Sequence, residues 1–531
     1  MTNLWIDLHR RFASCLLWVA ASLAMGCSQE PSVQPTKAAS QAETQAEIAW
    51  FKGTVEEAFA HAAANRKPLF LYWGATWCPP CNQLKSTVFT RPDFVAQTQR
   101  YVAFRLDGDD PAAQRWAAHF GAMGYPTLIV FDAQGQERTR LSSGMQLERY
   151  AQVLETAPQS RDLSTLIALW RQQRLADWSA ADWEQVAYYP WGAEPHGLLE
   201  DAERKSFFAE LHAAQSVPTP ALDRRLLLLW ATEVLRASEP EPLLQGRKGQ
   251  FREELRAILS NPAEWQASLD WLQYSGVDWI AAISSSDEQR KSLLAELQSV
   301  MEQVWSDENY SLKTRLLTLR SRLDAAALNY PQQPPAAPLV ALVERRTAQI
   351  TEQAQTPYER QSLMYNAAWY LREVGQSSAA AELLQSELET AVAPHYYMSY
   401  LGRFAQDQGD IQEALNWYQR AFVQAHGSAT RMQWGLAYLQ SLLELAPADE
   451  PRIYVALESL QQIAQEAPNS LYQRSRVRLQ RLQTPLAQWT QASKRRREVL
   501  AEGRQQWQAV CEQLEASSAA AQTCAAFWPS T

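Results

Sequence analysis

Residues 69–89, LFLYWGATWCPPCNQLKSTVF, limit the possible folds more than any other stretch of this chain. A short aromatic-rich apolar run leads to Cys78 and Cys81, which are separated only by Pro79 and Pro80. Such a run suits a buried strand, and QLKSTVF beyond it reads as a helix. Cys78 then falls just before a helix, where unpaired N–H groups and the helix dipole stabilise a thiolate. The pair could be half of a zinc site, a structural disulfide or a redox centre. Zinc needs a second ligand pair. Cys511 and Cys524 lie more than 400 positions away and 13 apart, and the histidines show no ligand spacing, so no metal site is expected. Two-residue spacers are unusual for structural bridges, which leaves that reading as the alternative to redox chemistry.

The flanking elements read from local signals. TVEEAFAHAAANRK (54–67) opens with Thr54 and Glu57 at capping-box spacing, and Val55, Ala58, Phe59 and Ala62 share one helical face. RYVAFRLD (100–107) is a second strand, and DPAAQRWAAHF (110–120) a helix with Asp110 as cap and Pro111 in its first turn. YPTLIVFD (125–132) is a third strand. A turn at AQG (133–135) leads to a fourth, QERTRL (136–141), and QLERYAQVLETA (146–157) closes as a helix.

This order, with WCPPC at 77–81 and GYPT at 124–127, resembles the thioredoxin fold over 47–157, in the form found in bacterial periplasmic thioredoxin-like proteins. The resemblance implies that Cys78 is the nucleophile and Cys81 the resolving thiol, with no cofactor. It implies that Pro126 is a cis-proline facing the cysteines, that Tyr125 and Pro126 shape the substrate groove, and that Trp77 flanks the site as a contact surface. Two departures stand out. The family's buried Asp, six residues before the first cysteine, is replaced by Tyr72, and the facing strand lacks the partner Lys. Pro79 and Pro80 lack N–H groups, so the Cys78 pKa is expected towards ~7 rather than ~3.5, which favours reduction or isomerisation.

The start of the chain, MTNLWIDLHRRFASCLLWVAASLAMGC, sets Arg10 and Arg11 before an uncharged stretch from Phe12 to Ala24. That stretch is shorter than the roughly 20 residues of a membrane span. LAMGC resembles the lipobox of bacterial lipoproteins, which implies a leader over 1–27 and lipidation of Cys27; a plain secretory leader is the alternative. Residues 28–46 read as a flexible tether. The expected location is the periplasm, lipid-anchored, with Ser28 leaning towards the outer membrane. The net charge of −9 and export argue against nucleic acid. With Cys15 in the leader and Cys27 lipidated, two cysteine pairs remain, as suits an oxidising compartment.

Residues 158–531 hold only 11 of the 19 glycines and read as all-α, with prolines punctuating segments rich in Leu, Ala, Gln, Glu and Arg. Near 362–468 two stretches align at an offset of 34: Gly375 with Gly409, Ala380 with Ala414, Leu384 with Tyr418. The second copy resembles a tetratricopeptide repeat, and a degenerate third falls around Ala456, Leu460 and Ile463; a generic array of helical hairpins is the alternative. Trp178, Trp183, Trp191, Trp230, Trp265, Trp271 and Trp279 read as fillers of helix–helix contacts rather than an aromatic binding groove. KRRR (494–497) reads as a solvated helix face. Cys511 and Cys524 would be joined if Ser517–Ala520 breaks the segment into a hairpin; one continuous helix would hold them ~20 Å apart.

The expected protein is thus a membrane-anchored thiol–disulfide oxidoreductase. Its partners would be protein disulfides or dithiols, a membrane-held electron donor, and the bilayer through Cys27; the helical part would recognise a partner. The other reading is an envelope scaffold whose repeats bind protein and whose thioredoxin-like part only docks.

Overall fold

A computed structural model describes residues 47–526 except 111, 112, 114, 115, 117, 118, 123, 143, 194, 331, 332, 472, 473 and 515–518. The expected leader, Cys27 and tether lie outside the described residues, as does part of the helix read at 110–120.

Helix α1 (Val55–Asn65) starts at the capping box: Thr54 accepts from the Glu57 amide, and Glu57 accepts from the Thr54 amide. Next come β1 (Leu69–Gly74), α2 (Pro79–Thr87), α3 (Pro92–Thr98), β2 (Val102–Asp107), β3 (Thr127–Phe131), β4 (Glu137–Leu141) and α4 (Leu147–Thr156). The sheet order is β2-β1-β3-β4. β1 runs parallel to β2, pairing Leu69 with Val102 and Gly74 with Asp107, and antiparallel to β3, which pairs antiparallel with β4. Pro92–Thr98 is a short helix, with Pro92 in its first turn where its missing N–H costs nothing.

All six residues of β1 are buried because both faces are covered. Leu69, Leu71 and Trp73 join α1 in one cluster, while Phe70 and Tyr72 face the cluster that contains both cysteines, Phe94 and Tyr150. The fold is a thioredoxin-like domain followed by a large all-helical region. The described residues fall in one compact unit.

From Leu163 onward the described residues hold helices and short 3-10 turns and no strand. Trp170, Trp178, Trp183, Trp191, Trp230, Trp265, Trp271 and Trp279 all sink into a single core, so they fill space between helices. Farther on, three hairpins follow one another: Pro357–Glu373 with Ser377–Glu387, Pro394–Asp407 with Ile411–Gln424, and Ser428–Leu445 with Glu450–Glu466. Gly375 and Gly409 turn the first two at φ +83° and +81°. Inside the second, a Cβ on Gly402 would lie 2.7 Å from the Tyr418 ring, so the small residue sets how closely the helices approach. The basic run is less uniform than expected: Arg496 is half-buried, bonds Glu450 at 2.8 Å and lies over the Trp489 ring.

Candidate active site

Cys78 is the N-cap of α2, with extended backbone, and its Sγ accepts from the Cys81 amide at 3.3 Å. Pro79 and Pro80 occupy the first two helical positions, so the third residue supplies the first amide able to reach that sulfur. The two sulfurs are joined, with Cα atoms 5.2 Å apart. The approach loop is tied down by Asn82, fully buried, whose Nδ2 donates to the Thr76 carbonyl at 2.9 Å. A bonded pair at a helix N-terminus can cycle between disulfide and dithiol, because the helix end stabilises the thiolate that forms on reduction.

The Tyr125–Pro126 peptide is cis and directly precedes β3. The Tyr125 ring meets Trp77 edge-on at 5.7 Å and Trp73 at 5.8 Å. Gly108 lies beneath its hydroxyl, where an added Cβ would come within 2.1 Å of that oxygen. At the position of the family's buried acid, Tyr72 is packed between Trp50 and Phe89. Its hydroxyl has no hydrogen-bond partner among the described residues, and burial pushes its pKa up. Lys85, on α2, is pushed down by burial against the pull of Asp107.

Trp77, read from the sequence as a contact surface flanking the site, is buried in this structure. Trp77 is only 4% exposed, Cys78 2% and Cys81 0%. The cover comes from the helical region. The Trp77 ring stacks on Tyr396 at 6.2 Å and meets Trp434 edge-on at 6.4 Å. Helix α2 packs along the helix Pro357–Glu373, with Lys85 over the Tyr358 ring at 5.4 Å. Lys313 donates to Gln83, and burial pushes the Lys313 ammonium down to about 8.

Asp109, in the loop after β2, completes the cover. Its carboxylate accepts from the Thr430 amide at 2.9 Å and from Thr430 Oγ1 at 2.7 Å. The helix Ser428–Leu445 has Gly427 at its own N-cap and no side-chain cap from that residue. Asp109 therefore supplies the cap from 321 positions away, and a Cβ on Gly427 would stand 2.5 Å from it. Hydrogen bonds to a charged group contribute ~1.5–3 kcal/mol each. Burial pushes the Asp109 carboxyl up, while the bonds from Thr430 and Trp77 draw it back.

The structure thus brings Trp77, Cys78 and Cys81 together with Tyr125, which touches Trp77, and with Pro126 next to it in the chain. Asp109, Lys313, Tyr396, Thr430 and Trp434 were missed. The one usable trace of them was a helix starting at glycine without a cap of its own. Cys511 and Cys524 lie elsewhere, joined by a 2.05 Å bond between the helices Lys494–Cys511 and Ala519–Ala526. Among the described residues no three His, Cys, Asp or Glu side chains gather in a group that could hold a metal ion.

Residues 55–158 match the family of thioredoxin-like domains. The chain is 30% identical over 101 residues to the thiol:disulfide interchange protein DsbD of Klebsiella pneumoniae, covering 18% of this chain and 17% of that one. It is 32% identical over 100 residues to DsbD of Cronobacter sakazakii, covering 18% and 17%. Against DsbD of Escherichia coli K12 it is 27% identical over 145 residues, covering 27% and 26%. The chain therefore spans no more than about a quarter of the length of these relatives.

Proposed function

We propose that the protein is a thiol–disulfide oxidoreductase acting on protein cystines, with residues 47–157 as its redox domain and 158–531 as a helical domain of tetratricopeptide type. The observation that carries this is the Cys78–Cys81 pair capping α2, with one amide on the outer sulfur, in a region similar to interchange proteins. In the reducing direction the Cys78 thiolate attacks one sulfur of a partner cystine. A Cys78–partner bond forms, and the other partner sulfur leaves as thiolate and takes a proton. The Cys81 thiolate then attacks Cys78 Sγ, the Cys78–Cys81 bond closes, and the second partner thiol departs. Two electrons pass from the pair to the partner, and the oxidising direction runs these steps backwards. Tyr125 and Pro126 would line the groove for the partner strand, and the periplasm, with Cys27 lipidated in a membrane, suits a chain that keeps two cysteine pairs oxidised. Among the described residues no helix is long and apolar enough to cross a membrane.

Burial of both sulfurs favours a second reading, a scaffold in which this disulfide only braces α2. Reduction of insulin by dithiothreitol, catalysed by the protein and lost in Cys78→Ser, separates the two. Cys81→Ala should also trap mixed disulfides with partner proteins in cells. No catalysis and no adducts would leave the scaffold.

A further inference from the structure

Any exchange at Cys78 needs a partner sulfur in line with its Sγ, and in this structure no such approach is open: the two cysteines are 2% and 0% exposed. The cover is made of discrete contacts. Among the described residues, Ala393 and Tyr396 of the helical region belong to the apolar cluster around the cysteines, and the grip also includes α2 packed along the helix Pro357–Glu373, the Trp77 slot between Tyr396 and Trp434, Lys313 on Gln83, and the Asp109 cap on the helix Ser428–Leu445. The domain has a second attachment through α4 and β4. There Gln185 donates to the Arg138 carbonyl, Gln152 donates to the Glu184 carboxylate, and Arg149 donates to the Tyr188 hydroxyl. Releasing the first set leaves the second in place.

We infer that the helical region is a gate over the Cys78–Cys81 pair, held shut by the Asp109 cap and the Trp77 slot, so that exchange takes place from a conformer in which Tyr396, Thr430 and Trp434 have withdrawn. This rests on the proposed redox function, but the gate has a readout of its own. The cap is economical: one carboxylate of the redox domain completes the N-terminus of a helix that has no other side-chain cap, and Gly427 leaves room for it. Losing it uncaps the helix and unlatches the domain together.

The test uses the full chain, reduced with dithiothreitol and freed of it. The rate at which Cys78 reacts with a maleimide is followed by peptide mass spectrometry. Thr430→Val keeps the side-chain shape and removes one donor to Asp109; Asp109→Asn weakens the same contact from the other side. Each should raise the alkylation rate about ten- to a hundredfold, the worth of one charge-assisted hydrogen bond, and the double variant should gain little over either. Trp434→Ala opens the slot independently and should also accelerate labelling. Thermal unfolding of each variant shows that the fold is retained. Wild type labelling as fast as the urea-unfolded chain, or variants labelling at the wild-type rate, would overturn the gate. Insulin reduction in the same samples separates the two claims: faster labelling without any catalysis removes the redox reading and keeps the gate, whereas catalysis unchanged by the variants keeps the redox reading and removes the gate.

Discussion

His395 titrates in a place where it cannot be solvated. It lies in the first turn of the helix Pro394–Asp407, is 5% exposed, and has no hydrogen-bond partner on either ring nitrogen among the described residues. Trp434 stands 5.9 Å from its ring, and the charge of His426 adds repulsion. Burial first, then His426, pushes its pKa from 6.5 down to about 4. Because the folded value is the lower one, the unfolded chain takes up the proton first as pH falls. The neutral ring's contribution is complete above pH 6.5, is lost between 6.5 and 4, and stays lost below. The full gap corresponds to ~3 kcal/mol, of which about 2 kcal/mol falls between pH 7 and 5. Urea unfolding followed by tryptophan fluorescence at pH 7, 6 and 5 should show this loss in the wild type. In His395→Phe the pH dependence should be shallower by that amount, whatever the variant's stability at pH 7. Carboxylates contribute equally to both proteins and cancel in the comparison. Parallel pH dependences, within ~0.5 kcal/mol, would refute the argument that His395 is held neutral.

Two further outcomes follow from the helical region. Replacing Cys511 and Cys524 by serine should destabilise the C-terminal hairpin by ~3 kcal/mol, the chain-entropy value for a loop of this size; reduced wild type should match the variant in proteolysis of residues 494–526, and the variant should not respond to dithiothreitol. Gly402→Ala drives a methyl to within 2.8 Å of two Tyr418 ring atoms and should cost about 1–3 kcal/mol, read as a lower urea midpoint with an unchanged slope.

How much of this was readable beforehand depended on the range of the forces involved. The α1 capping box needs only Thr54 and Glu57, three residues apart, and it forms as its spacing predicts. Three strands follow from apolar runs and the fourth, QERTRL, from the turn before it, while Cys78 caps the helix read just beyond it. The 34-residue offset marks two hairpins because each must place small residues where helices cross, as Gly402 does under Tyr418. Within the described residues, the local patterns determined which elements form and where the sulfurs stand on their helix.

They did not determine what lies over the sulfurs. Trp77 reads the same whether it faces water or Tyr396, and the Asp109–Thr430 pair joins residues 321 positions apart with no periodicity to connect them. Lys313 and Gln83 are likewise 230 positions apart. Secondary structure answers to neighbours within a few turns, so one chain of letters suffices to read it. The accessibility of a buried sulfur is decided by packing between remote surfaces, and here only the tertiary fold sets the helical region against the mouth of the thioredoxin-like domain.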